Sequence, residues 1–276
     1  MKKDIKIAAV CMHSETGEVH KNLDRTKFFV SQASEMGADF VCFPELSITG
    51  YILRDPEKIY PHSTSQEIIG SLDKIARSKG LIVIAGMVEI SEEGRPYISQ
   101  VAAGPDGLLG LYRKTHLSPQ ERQCFEPGQS LHTFSYGDVI FGIQLCYEAH
   151  FPEISTVMAL RGTHIIFMPH ASPRGTPGEK IKSWLRHLRG RAFDNAIFVV
   201  ACNQVGVTKE GPSFPGGAVV LNPAGRIIAR FEENHENILL AELKMDALQE
   251  MREHRMKYFI PNRRPELYGE ISSKSQ

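Results

Sequence analysis

The sequence GADFVCFPEL, residues 37–46, is repeated in outline by GTHIIFMPHA, residues 162–171. Each stretch follows a segment with helical periodicity that ends at a glycine, and each continues through a short apolar run typical of a buried strand. A proline closely preceded by a phenylalanine then leads to a polar residue, which is Glu45 in the first stretch and His170 in the second. Clefts in α/β proteins open at the carboxyl ends of such strands, so both positions are candidates for functional residues.

Strand and helix patterns alternate on both sides of these two stretches. Strands are predicted within residues 5–12, 38–46, 81–90, 133–146, 163–171, 196–206, 218–231 and 236–244. Helices are predicted at residues 22–37, 66–80, 151–162, 178–195 and 245–256. Two βαβ-containing halves with hairpins between them predict a layered α/β sandwich, with two packed sheets and helices outside. Short buried strands look alike in many α/β proteins, so a duplication of the two halves stays an open alternative.

The bulk properties favour one globular domain that acts on a small molecule. The chain has 276 residues without a low-complexity linker, which predicts a single domain over residues 1–276 with a short C-terminal extension from about residue 257. Lys+Arg and Asp+Glu both number 32, so the formal net charge is zero. Such a balance indicates no basic surface for nucleic acid or a membrane, and a small neutral or weakly charged partner is expected.

The cysteines and the N-terminus predict a soluble, cytoplasmic protein. The five cysteines are Cys11, Cys42, Cys124, Cys146 and Cys202. Their odd number and the absence of a CxxC pair argue against a disulfide framework and against a zinc site. Residues 1–14 superficially resemble a signal peptide, but Asp4 and Lys6 interrupt the apolar run. No run approaches the roughly 18 apolar residues of a membrane-spanning helix.

Cys146 lies in GIQLCYEAHF, residues 142–151, between an apolar strand and the start of a helical pattern. A thiol at such a turn is close to backbone N–H groups that favour a thiolate and bind an oxyanion. The local sequence alone nevertheless favours an ordinary core cysteine. A nucleophilic thiol needs a base, and none of the eleven histidines stands out as its partner.

Two other charged residues are better placed for chemistry. Glu45 emerges from a buried strand after Phe43 and Pro44, and Lys114 ends the apolar strand in LGLYRKTHL. Taken singly, the glutamate could be a capping or pocket-rim residue and the lysine a solvated one.

Three motifs together resemble those of a known family. FPELSITGY (43–51), YRKTHL (112–117) and CYEAHFPE (146–153) look like the Glu, Lys and Cys motifs of the nitrilase superfamily, the carbon–nitrogen hydrolases, in the family's order. The resemblance extends over nearly the whole chain, since residues 184–206 are similar to the family's long helix and following strand, and residues 216–228 to its late hairpin. It implies an α/β fold, a four-layer α-β-β-α sandwich of two mixed β-sheets with helices outside.

The resemblance also implies roles for individual residues. Glu45 would be the general base, Cys146 the nucleophile, and Lys114 the group that stabilises the oxyanion together with the backbone N–H of Tyr147. Glu121, in SPQERQCFEPG, matches the family's second glutamate, although a surface glutamate is the alternative without the resemblance. Neither a metal nor another cofactor is required, because Lys114 supplies the positive charge that a Lewis acid would provide.

The substrate pocket departs from the family pattern. Many relatives carry an arginine shortly after the cysteine, where Ala149 and His150 stand here, so a substrate carboxylate loses its obvious anchor. Arg174 could substitute for it. A further departure, Ala218 where relatives often have serine, has no functional explanation. The candidate substrate-binding residues are Tyr51, His170, Ser172 and Arg174, each of which could instead have a packing, turn or surface role.

The resulting hypothesis is a thiol-dependent amidase that hydrolyses a small linear amide or N-carbamoyl amine through a Cys146 thioester. A nitrilase acting on a C≡N bond would use the same triad, and a catalytically silent binding module is a third alternative. The intact Glu45, Lys114 and Cys146 argue against that last alternative. A homodimer or larger even homo-oligomer is expected, with residues 183–195 in its interface, although Trp184 could equally belong to the core.

Overall fold

The computed structural model describes residues 3–60, 63–91, 94–209 and 211–273. The first half contains β1 (Ile5–Cys11), α1 (Val19–Glu35), β2 (Phe40–Cys42), α2 (Pro56–Ile59), α3 (Ser63–Lys79), β3 (Ile82–Glu89), β4 (Tyr97–Gly104) and β5 (Gly107–Arg113). The second half contains β6 (Thr133–Tyr136), β7 (Val139–Ile143), α4 (Pro152–Leu160), β8 (Ile165–His170), α5 (Pro177–Asn195), β9 (Phe198–Asn203), β10 (Val205–Val207), β11 (Ser213–Pro215), β12 (Ala218–Leu221), β13 (Ile227–Phe231), β14 (Asn237–Leu243), α6 (Met245–Glu253) and α7 (Gly269–Ser272).

Two mixed six-stranded sheets share one pattern of strand pairing. The first has the order β14-β1-β2-β3-β4-β5 and the second the order β6-β7-β8-β9-β12-β13. In that direction both sheets show one antiparallel pair, two parallel pairs and two antiparallel pairs. β2 and β8 therefore occupy equivalent positions, and the similarity of residues 37–46 to residues 162–171 corresponds to a repeated topology.

The sheets pack face to face, and helices cover their outer faces. The ring of Phe40 in β2 lies 5.4 Å from that of Phe141 in β7 and 5.7 Å from that of Phe167 in β8, measured between centroids. Helix α3 packs against α1 and against β3, β4 and β5, whereas α5 packs against α4, β9 and β12. The predicted four-layer sandwich is confirmed.

The structure corrects two local predictions near the candidate residues. The strand predicted over residues 38–46 ends at Cys42, because Pro44 has no N–H to continue the ladder and Leu46 turns the chain with a φ of 56°. The hairpin predicted over residues 133–146 ends at Ile143, and the helix predicted over residues 151–162 begins at Pro152. A separate 3₁₀ turn, Cys146–His150, lies between β7 and α4. The other predicted helices and strands are present with shifted ends.

The C-terminal segment adds little to the core. Beyond α6 the chain forms two 3₁₀ turns, Ile260–Asn262 and Pro265–Leu267, and the short helix α7, whose residues are exposed. The last residues of the predicted extension, 274–276, lie outside the described residues. None of the helices that the structure describes is long and apolar enough to cross a membrane.

We expect Phe40→Ala to lower the free energy of unfolding by about 3–5 kcal/mol, because it leaves a cavity between the two sheets. Phe40 is 1% exposed, whereas Phe28 on α1 is 47% exposed and Phe28→Ala serves as the control. Guanidinium unfolding of both variants measures the difference. Equal losses in the two variants would contradict the placement of Phe40 between the sheets.

Candidate active site

Glu45 lies just beyond β2 in the interior, with 1% of its surface exposed. Its Oε1 accepts a hydrogen bond from Lys114 Nζ at 2.7 Å, and its Oε2 accepts one from the backbone N–H of Ala171 at 3.1 Å. The Gln204 side chain holds the backbone of Glu45 by donating to its carbonyl oxygen at 2.8 Å. Burial raises the pKa of Glu45 even though the Lys114 charge opposes the shift. A carboxylate with a raised pKa is a stronger base.

Lys114 directly follows β5 and is completely buried. Its Nζ donates to Glu45 Oε1 and to Glu121 Oε1, both at 2.7 Å. Burial alone would lower the pKa of Lys114, but the charges of the two glutamates outweigh it and raise the pKa above its ordinary value. The ammonium therefore stays protonated, and since it has three N–H donors, one is left for a substrate oxygen.

Glu121 opens the 3₁₀ turn Glu121–Gln123 and is 5% exposed. Its second oxygen, Oε2, accepts a hydrogen bond from the backbone N–H of Ser118 at 2.7 Å. Glu121 is therefore not the surface residue that the sequence left open as an alternative. Because Ser118 holds one carboxylate oxygen and the other accepts from Lys114, Glu121 fixes the lysine through a second hydrogen bond in addition to the one with Glu45.

Cys146 has a φ of 42°, a left-handed conformation that is uncommon for residues other than glycine. Cys146 is half-buried as a residue, whereas Cys11, Cys42 and Cys202 are buried in the core. Burial raises the pKa of the Cys146 thiol, as do the charges of Glu45 and Glu121, while Lys114 and the Ala171 N–H act in the opposite direction. The thiol is therefore protonated at rest and requires a base to become a nucleophile.

The four candidate substrate-binding residues have different environments. Tyr51 is beside the catalytic charges, since burial raises the pKa of its phenol and Glu45 adds to that shift. It also lines a surface cavity of about 670 Å³. Ser172 is half-buried one residue after Ala171, and Arg174 is exposed.

His170 faces the helix layer. Its ring lies 4.2 Å from that of Trp184 in α5, and its Nδ1–H donates to Met168 O at 2.7 Å. Burial lowers the pKa of His170 to about 3, so the imidazole is neutral, and within the described chain its Nε2 has no hydrogen-bond partner. Trp184 is 4% exposed and therefore belongs to the core.

Glu148 is a buried carboxylate that the sequence did not reveal as important. Its Oε1 accepts hydrogen bonds from Tyr112 Oη at 2.9 Å and from the N–H and hydroxyl of Thr115 at 2.7 and 2.6 Å. Its Oε2 accepts one from the backbone N–H of Leu145 at 2.7 Å. Tyr112 and Thr115 flank the lysine segment and Leu145 precedes Cys146. Glu148 therefore ties the segment that carries Lys114 to the turn that carries Cys146.

Other residues near the site have structural contacts. Arg191 of α5 donates to the carbonyl oxygens of Ala149 at 3.2 Å and His150 at 3.3 Å. The His150 ring is 4.6 Å from that of His187. Ala218 is buried in β12, and nothing in its surroundings explains the alanine. Within the described ranges, no group of three or more His, Cys, Asp or Glu residues could hold a metal ion.

Glu148→Gln exchanges one carboxylate oxygen for an N–H₂ group. That group cannot accept the hydrogen bonds that the Glu148 carboxylate accepts from buried donors. We expect the free energy of unfolding to fall by about 2–3 kcal/mol because buried donors lose their acceptor. Glu153→Gln, an exposed change in the first turn of α4, is the matched control. Urea unfolding compares the two, and an unchanged stability of the Glu148 variant would contradict the bracing role.

Comparisons with known proteins agree with this geometry. The carbon-nitrogen hydrolase family model matches residues 6–253. A nitrilase of Pyrococcus abyssi is 29% identical over 96% of this chain and 99% of its own, and an (R)-stereoselective amidase of a Pseudomonas species is 29% identical over 96% and 94%. An amidase structure from Nesterenkonia sp. AN1, with acrylamide added to the active-site cysteine, has a TM-score of 0.82 at 25% identity over 97% of this chain and 99% of that one. The chain belongs to the carbon–nitrogen hydrolase family, the nitrilase superfamily, and is an enzyme of that class.

Proposed function

We propose that this enzyme hydrolyses a non-peptide C–N bond in a small linear amide or N-carbamoyl amine through a Cys146 thioester. The observation that carries the proposal is the buried Lys114 ammonium, hydrogen-bonded at 2.7 Å to both Glu45 and Glu121 and close to the Cys146 thiol. A base, a fixed cation and a nucleophile are thereby combined in one water-poor site, as acyl transfer requires.

In the first half of the reaction, Glu45 takes the thiol proton and the sulfur of Cys146 attacks the amide carbon. Negative charge develops on the amide oxygen, where the third N–H of Lys114 stabilises it. The backbone N–H of Tyr147, the residue after the nucleophile, is the second donor in this proposal. The C–N bond then breaks, and the leaving nitrogen takes the proton from Glu45 and departs as ammonia or an amine.

In the second half, water hydrolyses the thioester. Glu45, ionised again, takes a proton from the attacking water, and the same donors stabilise the second oxyanion. The C–S bond breaks, the sulfur recovers the proton from Glu45, and a carboxylic acid leaves. Glu45 thus acts as base and acid in turn, for which its Ala171 and Lys114 hydrogen bonds keep it in one position.

A nitrilase activity is the second candidate, because the Pyrococcus abyssi relative has that name. The same thiol would attack a nitrile carbon. Ammonia release from paired amides and nitriles of equal chain length separates the two activities.

The surroundings of the enzyme are also part of the proposal. Its five cysteines are free, which is typical of a reducing compartment and supports a cytoplasmic location.

Phe193 at the end of α5 and Phe259 are exposed by 37% and 41%, and their ring centroids lie 5.5 Å apart. We place part of a homodimer or larger even assembly on this α5 face.

Cys146→Ala is expected to abolish ammonia release from a panel of amides, ureido compounds and nitriles, since no acyl group can form on the chain. Glu45→Gln should lower kcat by roughly 10²–10⁴-fold, the usual contribution of a general base. Cys124→Ala, at another half-buried free cysteine, is the matched control. Mass spectrometry of the wild type should detect the acyl adduct on Cys146, and full turnover by the Cys146 variant would refute the assignment.

The pH profile should reflect the raised pKa of Glu45. Only the ionised carboxylate can accept the thiol proton, so kcat/KM is expected to rise with pH through an apparent pKa above the ordinary glutamate value of 4.5. Lys114 stays charged because its pKa is raised, so it should cause no decline below its ordinary value of 10.5. An acid limb at or below 4.5 would contradict the burial of the base.

A further inference from the structure

The segment that follows β2 leaves the sheet between two anchored ends. The Phe43 N–H donates to Ile84 O at 2.8 Å, and the Ile48 N–H donates to Gly86 O at 2.8 Å. Between these two hydrogen bonds the chain advances by five residues, whereas β3 advances by only two. Residues 44–46 therefore bulge out of the line of pairing with β3. We name them the base turn, because the middle residue is the proposed general base.

Gly86 of β3 allows the base turn to approach the strand closely. A Cβ atom on Gly86 would lie 2.4 Å from Leu46 N and 3.0 Å from Pro44 O, both of which are backbone atoms of the base turn. The φ of Gly86 is not positive, so glycine is required at this position for space and not for its backbone conformation. A backbone, unlike the end of a long side chain, cannot rotate away from such a contact.

Hydrogen bonds hold the base turn against this glycine. The Gly86 N–H donates to Ser47 Oγ at 3.1 Å. Gln100, which is opposite Gly86 in the register of β3 and β4, donates from Nε2 to Phe43 O at 3.2 Å. Its Oε1 would lie 2.6 Å from a Cβ atom on Gly86, so the glutamine occupies space that another residue would fill with its own side chain. The base turn is thus fixed on both sides of its central residue.

Gln100 is an unfavourable residue for the interior of a sheet. It is completely buried, and within the described chain its Oε1 has no hydrogen-bond partner. A buried polar oxygen without a partner lowers stability relative to an apolar side chain of similar size. The hydrogen bond to Phe43 O is the contribution that an apolar side chain could not make. Stability therefore does not explain this glutamine, whereas its contact with the base turn does.

The carboxylate of Glu45 leaves little tolerance for a shift of the base turn. It accepts from Lys114 Nζ at 2.7 Å and from the Ala171 N–H at 3.1 Å, and hydrogen bonds of this type weaken beyond about 3.2 Å. Cβ atoms do not ordinarily come within 3.0 Å of another atom, so Gly86→Ala would move Leu46 N from the present 2.4 Å by about 0.6 Å or more. A displacement of that size is enough to lengthen one of the two hydrogen bonds beyond that limit.

We propose that the cross-strand pair of Gly86 and Gln100 positions the general base, keeping the Glu45 carboxylate within reach of the Lys114 ammonium and the Cys146 thiol. Both are positioning residues, because they act through the base turn and not on the substrate. This inference rests on the proposed function, in which Glu45 accepts the thiol proton.

The test measures kcat and KM of the wild type and of Gly86→Ala with propionamide, butyramide and butylurea, through ammonia release. Gly86→Ala should lower kcat by roughly 10- to 100-fold and change KM by less than about threefold, because the base is misaligned while the substrate contacts remain. A kcat equal to that of the wild type overturns the inference.

The pH profile supplies a readout that a purely structural role would not change. The Lys114 charge and the Ala171 N–H lower the pKa of Glu45, whereas burial and the Glu121 charge raise it. Displacement of the base turn weakens the two lowering contacts, so the acid limb of kcat/KM should move to higher pH in Gly86→Ala. An acid limb at the wild-type pH contradicts the displacement of the base and overturns the inference.

Gly104→Ala, at the end of β4, is the matched control. The nearest atom to the added Cβ would be Ile82 Cδ1 at 2.7 Å, the end of a side chain that can rotate, and none of its three nearest atoms belongs to the base turn. This variant should keep the wild-type kcat and acid limb. Equal losses of kcat in the two glycine variants would show a general effect of the added methyl group and overturn the inference.

Gln100→Leu tests the pair without a steric change, including the case in which Gly86→Ala does not fold. It keeps about the volume of the side chain and removes the donor to Phe43 O. We expect kcat to fall by roughly 3- to 10-fold, the equivalent of one hydrogen bond, while the urea midpoint stays at or above that of the wild type because the buried unpaired oxygen is removed. Wild-type kcat in Gln100→Leu overturns the role of the glutamine and, with it, that of the pair.

The wild type distinguishes this inference from the proposed function. Turnover of a probe by the wild type, with unchanged kcat in Gly86→Ala and Gln100→Leu, overturns the positioning role alone. Absence of turnover and of an acyl adduct on Cys146 with every probe overturns the proposed function itself.

Discussion

The arrangement of the site depends on one buried ammonium held between two carboxylates. An unpaired lysine at this depth would be strongly destabilising, so the position of Lys114 is tolerable only while Glu45 and Glu121 both face it. Glu45 comes from the end of β2 and Glu121 from a turn after β5. The requirement for charge compensation thereby fixes two separate chain segments around one point. The two carboxylates keep the lysine charged, whereas burial raises the pKa of Glu45 against the opposing effect of the lysine charge.

Cys146, the proposed nucleophile, is positioned by hydrogen bonds around its turn and not by charge compensation. Cys146 has a backbone conformation that costs of the order of 1–3 kcal/mol, and it persists because neighbouring groups determine it. Glu148 accepts hydrogen bonds from two segments, from Leu145 next to Cys146 and from Thr115 next to Lys114. Glu148, which has no part in the proposed mechanism, thus links the segments of two residues that the mechanism uses, Cys146 and Lys114.

The sequence predicts the four-layer fold because its alternating helix and strand patterns are strong and its hairpin turns are explicit. Glu45 stands out in the sequence because a charged residue emerges from a buried strand, whereas Lys114 is singled out only by the resemblance of the three motifs to those of the family. By the same pattern the sequence predicts a functional position for His170. However, β8 continues through His170 whereas β2 stops before Glu45, and the imidazole faces the helix layer. Glu148 looks like an ordinary turn residue in the sequence, because its partners Tyr112 and Thr115 come from a distant segment.

The equivalence of β2 and β8 has a consequence for when the enzyme becomes reactive. Glu45, the proposed general base, follows β2 of the first half, yet its carboxylate accepts a hydrogen bond from the Ala171 N–H, which follows β8 of the second half. The proposed nucleophile Cys146 likewise belongs to the second half, whereas Lys114 belongs to the first. If Glu45 and Cys146 act as proposed, a nascent chain on the ribosome remains chemically inert until both halves have emerged and docked, and its thiol is not activated during synthesis.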